Sequence, residues 1–196
     1  MTFEKWLPEM RRRYGGDTLM TEKQVVDLGA LLDAMARGGK PPSTEELAQL
    51  AEAVGKMFHA DPDEVAILAI SPKNKSLKFV IPEKLSVVGS IPLTSTSALA
   101  ARTVRERKTE MANNFNTSRH ASVFEGVPLG RREGQTIYKI MSAPILDGKK
   151  VMGVVQISRK GRSASDSGPD FTSKDLQTLT SLSSTLEKFL KLCPVE

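Results

Sequence analysis

Residues 142–161 read SAPILDGKKVMGVVQISRKG, and the fold is decided by how this stretch is read. Asp147-Gly148 is the kind of residue pair favoured in tight turns between strands. It is flanked by residues 135–145 (QTIYKIMSAPI) and 150–158 (KVMGVVQIS), so the spacing predicts a β-hairpin. Val151, Gly153, Val155 and Ile157 share one face of the second strand. Gly153 marks a place where another backbone or side chain comes close, and Pro144 has no amide to give a ladder. The strand carrying Pro144 should therefore be irregular or at an edge there. A Gly-, Ser-, Asp- and Arg-rich loop (159–170) follows, and then FTSKDLQTLTSLSSTLEKFL (171–190). Thr172 caps a helix, with Asp175 placed to complement its positive end. Leu176, Leu179, Leu182, Leu186 and Phe189 form a near-heptad stripe suited to packing on another helix.

The rest of the chain falls into place around this hairpin. Thr21-x-x-Gln24 and Ser43-x-x-Glu46 are capping boxes. The first opens a helix over 21–37 with Val25, Leu28, Leu32 and Met35 on one stripe. Gly38-Gly39 and Pro41-Pro42 end it. The second opens a helix over 43–59 with Leu47, Leu50, Ala51, Val54 and Phe58 inward, stopped by Asp61-Pro62. The period then changes. VAILAI (65–70) is a continuous apolar run, as for a strand covered on both faces. Leu77, Phe79 and Ile81 alternate with Ser76, Lys78 and Val80, giving a second hairpin turned at 72–75. Residues 85–93 read as strand or loop. Ala98–Arg107 reads as a short helix, Thr109–Ala112 as a short strand, and residues 113–134 as a long irregular loop of a kind that is usually functional. Trp6, Leu7 and Tyr14, with Arg11 to Arg13 between them, read as a docking arm or short helix.

Composition narrows the class. The chain has 196 residues, 39% of them hydrophobic and 26% charged, which suits one domain with its own core and excludes collagenous or wholly disordered chains. Its single cysteine excludes internal disulfides and multi-cysteine zinc sites and points to a cytoplasmic protein. No apolar run reaches membrane-span length, and no signal-peptide core precedes Arg11. The net charge of +5 is concentrated: residues 102–162 hold 13 basic and five acidic residues, a balance of +8. Such a section favours an anionic partner, or simply solvates the surface. Nucleic acid is not expected, since there is no basic run interleaved with aromatics and no RNP-type motif.

The order of elements makes an α+β sandwich with an antiparallel sheet. From about 43 to 191 the chain resembles a GAF domain. The resemblance rests on the paired strands 65–70 and 77–81, on IPLTSTSALAARTVRERKTEMANN (91–114), on the hairpin 142–161, and on the closing helix 171–190. It implies a GAF-like, profilin-like fold, with terminal helices on one face of the sheet and pocket-forming loops on the other. Residues 1–42 would be an N-terminal helical extension and residues 43–196 the GAF-like domain. It also implies a small-ligand site, often for a cyclic nucleotide, a tetrapyrrole or a metabolite, and pairing through terminal helices.

Departures from the family narrow the ligand without naming a cofactor. Covalent bilin attachment and GAF-type methionine sulfoxide reduction both need pocket cysteines, and Cys193 lies past the last helix. Asn113, Asn114 and Phe115 are only a fragment of the Asn-Lys-Phe-Asp-Glu signature of cyclic-nucleotide binders. Ser118, His120 and Ser122 form no recognisable triad, there is no phosphate-binding glycine loop, and a lone histidine is not a metal site. Haem, which needs one protein ligand, stays open at His120. Arg102, Arg105 and Arg107 on the short helix, with Arg119, Arg131 and Arg132 in the loop, make a small anion the expected ligand class. The alternative is arginines facing water and a pocket filled by Phe115, Phe124, Tyr138 and Met141.

The candidate ligand-binding set is thus Arg102, Asn113, Asn114, Phe115, Ser118, Arg119, His120, Phe124, Tyr138 and Met141, with no catalytic or metal residues. The expected role is a non-catalytic sensory or regulatory module with no output domain attached, acting in trans on a protein partner or using its N-terminal helical extension as the output. The alternatives are an enzyme acting on a small metabolite in the same pocket, or an interaction scaffold with a filled pocket. Three apolar helix stripes compete for one sheet face, so surplus apolar surface should drive a homodimer through the terminal helices.

Overall fold

The computed structural model describes residues 22–115 and 135–193. The arm around Trp6, the Thr21 cap and the loop residues Ser118, Arg119, His120 and Phe124 lie outside the described residues, as does the side chain of Val25. Helix α1 is Glu22–Gly38 and α2 is Thr44–Phe58. Strands β1 (Val65–Ser71), β2 (Ser76–Ile81) and β3 (Ser90–Pro92) precede α3 (Leu99–Glu106). Then come β4 (Glu110–Ala112), β5 (Thr136–Asp147), β6 (Lys150–Gly161) and α4 (Ser173–Lys191). The strands make a six-stranded sheet in the order β3-β2-β1-β6-β5-β4, with every neighbouring pair antiparallel.

The expected caps are in place. Ser43 accepts from the Glu46 amide while the Glu46 carboxylate takes the Ser43 amide at 2.8 Å. Thr172 and Asp175 do the same for α4. The Glu46 carboxyl is held below its ordinary range, first by the backbone hydrogen bond from Ser43. Residues 85–93, ambiguous in sequence, run from the end of a 3-10 turn (Glu83–Leu85) through a further turn at 86–88 into β3. Pro144 sits on β5 beyond the stretch that pairs with β4, which ends at Glu110 opposite Ser142, so its missing amide takes nothing from that ladder.

Alternation sorts the strands onto two faces. Val65, Ile67, Ala69, Met141, Ala143, Ile145, Val155 and Ile157 face the terminal helices and share one core with them. Leu68, Leu77, Phe79 and Val154 face the other way and pack with Ala98, Ala100 and Ala101 at α3. On the helix side α2 and α4 lie on the sheet, and α1 packs on those two helices. Leu28, Leu32 and Met35 are 3%, 2% and 2% exposed. Leu28, Leu32 and Met35 of the α1 stripe are therefore spent inside the chain. Val87 and Met111 are the large apolar side chains exposed among the described residues.

Gly153 is the tightest point of this packing. A Cβ there would lie 2.1 Å from the Leu68 carbonyl oxygen and 2.6 Å from Leu190 Cδ1. The carbonyl belongs to the neighbouring strand and cannot rotate away. Gly153→Ala is therefore expected to cost about 3 kcal/mol or more, at the upper end for an overpacked site. Chemical denaturation reads it directly, and a loss below about 1 kcal/mol would contradict this packing.

Candidate functional site

Helix α3 lies over the sheet face opposite the terminal helices and defines the candidate site. The segment before it is self-contained. Ser95 Oγ accepts from the Ala98 amide at 3.1 Å, and Arg105 Nη1 donates to the carbonyls of Leu93 at 2.9 Å and Ser95 at 2.6 Å. Arg102 makes a fork to Glu110 of β4, with Nε to Oε1 at 3.2 Å and Nη2 to Oε2 at 2.7 Å. Two of the arginines read as an anion clamp are thus occupied within the chain.

Beneath α3 runs a row of polar side chains. Register sets Ala66, Gln156, Ser142 and Glu110 side by side across β1, β6, β5 and β4. Thr103, buried on α3, donates to the Leu99 carbonyl one turn back at 3.0 Å. Its hydroxyl proton is then committed, so in the 2.7 Å contact with Ser142 the serine is the donor. Ser142 in turn accepts from Gln156 Nε2 at 3.2 Å. Every proton in this chain has one direction: Gln156 to Ser142 to Thr103 to Leu99. The chain leaves the Gln156 amide oxygen, on a half-buried residue, as an acceptor with no partner among the described residues.

Other expected site residues are placed as follows. Phe115 is buried with Leu99 and Ile140, and its amide donates to the Tyr138 carbonyl at 2.8 Å. Tyr138 is half-buried and its hydroxyl donates to the Arg162 carbonyl at 3.2 Å. Asn114 is exposed. Asn113 turns away from this face: its Nδ2 donates to the Phe171 carbonyl and its Oδ1 accepts from the Phe171 amide, both at 2.9 Å. Met141 is fully buried in the helix-side core. Its neighbours Ile140 and Ser142 face α3, so alternation sends Met141 the other way. The structure joins Phe115 to Tyr138 through one backbone hydrogen bond, packs Ile137 rather than Tyr138 against Phe115, occupies Arg102 with Glu110, and places Met141 in the other core.

Other chemistry lies elsewhere. No group of three metal-ligating side chains occurs among the described residues. His59 caps the carboxyl end of α2 in a left-handed conformation, φ 51°. Glu64 is pushed up by burial although it accepts the Asp61 and Lys160 amides, and it braces the entry to β1. Thr103, Ser142 and Gln156 were not among the residues singled out from sequence. Their signal is a hydroxyl and an amide at α3-facing register positions of otherwise apolar strands.

The sequence profile of the GAF domain matches residues 43–191. The chain belongs to the GAF domain family. Solved GAF domains share its fold. The GAF domain of an Acinetobacter phosphoenolpyruvate-protein phosphotransferase is 16% identical, with 88% of this chain and 95% of that one covered at a TM-score of 0.58. The GAF domain of a two-component sensor histidine kinase from Bacillus halodurans is 20% identical, covering 76% and 94% at 0.52. The free methionine-R-sulfoxide reductase of Neisseria meningitidis, solved with its substrate, is 14% identical, covering 84% and 86% at 0.55. These likenesses concern the fold. No curated protein sequence matches the chain. No helix among the described residues is long and apolar enough to cross a membrane.

Two outcomes follow from this geometry. Ser142→Ala leaves the Gln156 amide donor and the Thr103 hydroxyl without their shared partner, and should cost about 1–3 kcal/mol in denaturant unfolding. Cys193, the one cysteine of the chain, donates to the Phe189 carbonyl at 3.4 Å, and burial pushes its thiol up to about 12. Alkylation at pH 8 should therefore run on the order of a hundredfold slower in the native protein than in denaturant, because the thiolate is the reactive form.

Proposed function

We propose that this GAF domain is a non-catalytic regulatory module that binds a small molecule on the α3 face and passes its state to a protein partner. The observation that carries the reading is the one-way hydrogen-bond chain ending at the Gln156 amide oxygen. A ligand offering an N–H or O–H would complete it, with Phe115 and Tyr138 as proposed contacts. Arg102 and Arg105 are occupied, so any anionic portion of the ligand would draw on Arg119, with Ser118, His120 and Phe124 as further proposed contacts. Absence of catalysis is favoured by Ser142, whose proton goes to Thr103 rather than to a base. A cytoplasmic setting agrees with the single cysteine.

Homodimerisation through the terminal helices would use their outer faces, where Ala30, Ala34 and Ala36 of α1 are exposed and Lys188 of α4 pairs with Asp33 at 3.5 Å. Light scattering separates a mass of 21.4 kDa from twice that value.

The ligand is sought by thermal shift and native mass spectrometry of the wild type and Gln156→Leu against a metabolite library. A compound at one hundred times its dissociation constant stabilises the wild type by about 2.7 kcal/mol. Gln156→Leu should weaken it at least about tenfold, the loss of one hydrogen bond. A library without a binder would favour the scaffold with a filled pocket, and turnover of a library compound would favour the enzyme.

A further inference from the structure

The two cores of this domain are separated by the sheet backbone, so a change on the α3 face reaches the terminal helices most directly around a sheet edge. β4 is the edge strand on that side. Asn113 follows it immediately and is bound at both ends of its amide to the backbone of Phe171, 58 residues away. The two contacts require opposite atoms, one donor and one acceptor, so the side chain has one orientation. On one side of Asn113 stands Phe115, buried with Leu99 and Ile140 beside α3. On the other stands Phe171, 2% exposed, in the helix-side core at the entry to α4.

Phe171 is also the seat of Arg159. The guanidinium lies 4.5 Å from the ring centroid. Its Nη2 donates to the Phe58 carbonyl at 3.2 Å and its Nη1 to the His59 carbonyl at 3.4 Å. Arg159 is 8% exposed and forms no ion pair with a carboxylate among the described residues. Its charge is met by the aromatic face and by the negative carboxyl end of α2. Lys139 steadies the same segment, donating to the Gly168 carbonyl and pairing with Asp170 at 2.9 Å.

We propose that Asn113 is a positioning residue that ties the α3 side of the sheet to the amino end of α4, and that Arg159 extends the tie through Phe171 to the carboxyl end of α2. A displacement of Phe115 moves Asn113, Asn113 moves the Phe171 backbone, and the Phe171 ring moves Arg159 against the last turn of α2. The use of this tie for signalling rests on the ligand reading above. Its existence does not, because the test needs no ligand.

Hydrogen exchange of the full chain is followed residue by residue in the wild type, Phe115→Leu, Asn113→Ala and the double variant. The reporters are the amides of Phe171, of Leu176, which donates to Thr172, and of His59, which donates to Gly55. Phe115→Leu should speed exchange at these three by about fivefold or more, the lower end of ordinary site-to-site coupling, and leave Val155 and Ile157 unchanged. In the Asn113→Ala background Phe115→Leu should add nothing further at the three reporters. Asn113→Asp, which keeps the acceptor for the Phe171 amide and sets a carboxylate against its carbonyl, serves the same cycle if Asn113→Ala does not fold. Reporters that do not respond to Phe115→Leu would overturn the tie. So would an equal response with and without Asn113, or a uniform acceleration across the central strands. A failed ligand search leaves this result untouched, and a failed cycle leaves the ligand reading standing.

Discussion

The absent side chain at Gly153 is the constraint on which the helix layer depends. β6 is the centre of the sheet, paired with β1 on one side and β5 on the other. At Gly153 it lets the Leu68 carbonyl of β1 and the Leu190 side chain of α4 approach together. That approach seats α4 flat on β5 and β6. With α4 seated, Leu179, Leu182, Leu186 and Phe189 close the core over Ile145, Val155 and Ile157. α1 then has a groove between α2 and α4 for Leu28, Leu32 and Met35. Apolar burial, at about 25 cal/mol per Å², is thus channelled by one position where a methyl group is excluded.

The other face is built on a different principle. There, among the described residues, one short helix packs on the sheet, and the interface is partly polar. Thr103, Ser142 and Gln156 replace what would otherwise be three apolar contacts. Buried hydroxyls are tolerated because each has a partner, and the partners are ordered by proton direction rather than by charge. A network of this kind specifies one helix position over the sheet. It also ends in an acceptor, which an apolar interface would not offer.

The hairpin, the two capping boxes and the closing helix were legible because each is local. Asp147-Gly148, Ser43 with Glu46, and Thr172 with Asp175 act over a few residues, and the pattern around them alternates or repeats cleanly. Gly153 was legible as a close approach, though not which atoms approach. Met141 was misplaced because its side of the sheet depends on strand register. Ile140, Met141 and Ser142 are adjacent, and only pairing with β6 says which of them faces α3. Asn113 and Arg159 act over 58 and 101 residues. No local rule reports such partners, so Asn113 read as a ligand contact and Arg159 drew no notice.

The charge argument fails for an instructive reason. The excess of +8 in residues 102–162 is a sum along the chain, whereas a ligand meets charge in space. Arg102 is matched by Glu110, Lys160 by Asp63, and Lys139 by Asp170. Arg105 and Arg159 are matched by carbonyl oxygens, which carry no formal charge and so never enter a count. Lys149 and Lys150 stand exposed at the β5–β6 turn, at the far end of β5 from Tyr138. Once these partners are assigned, the described part of the α3 side offers exposed Arg107 and Lys108 at the carboxyl end of α3 and one amide acceptor at the end of a directed chain. In the ligand reading proposed above, that acceptor asks for a donor on the ligand, whatever the ligand's charge.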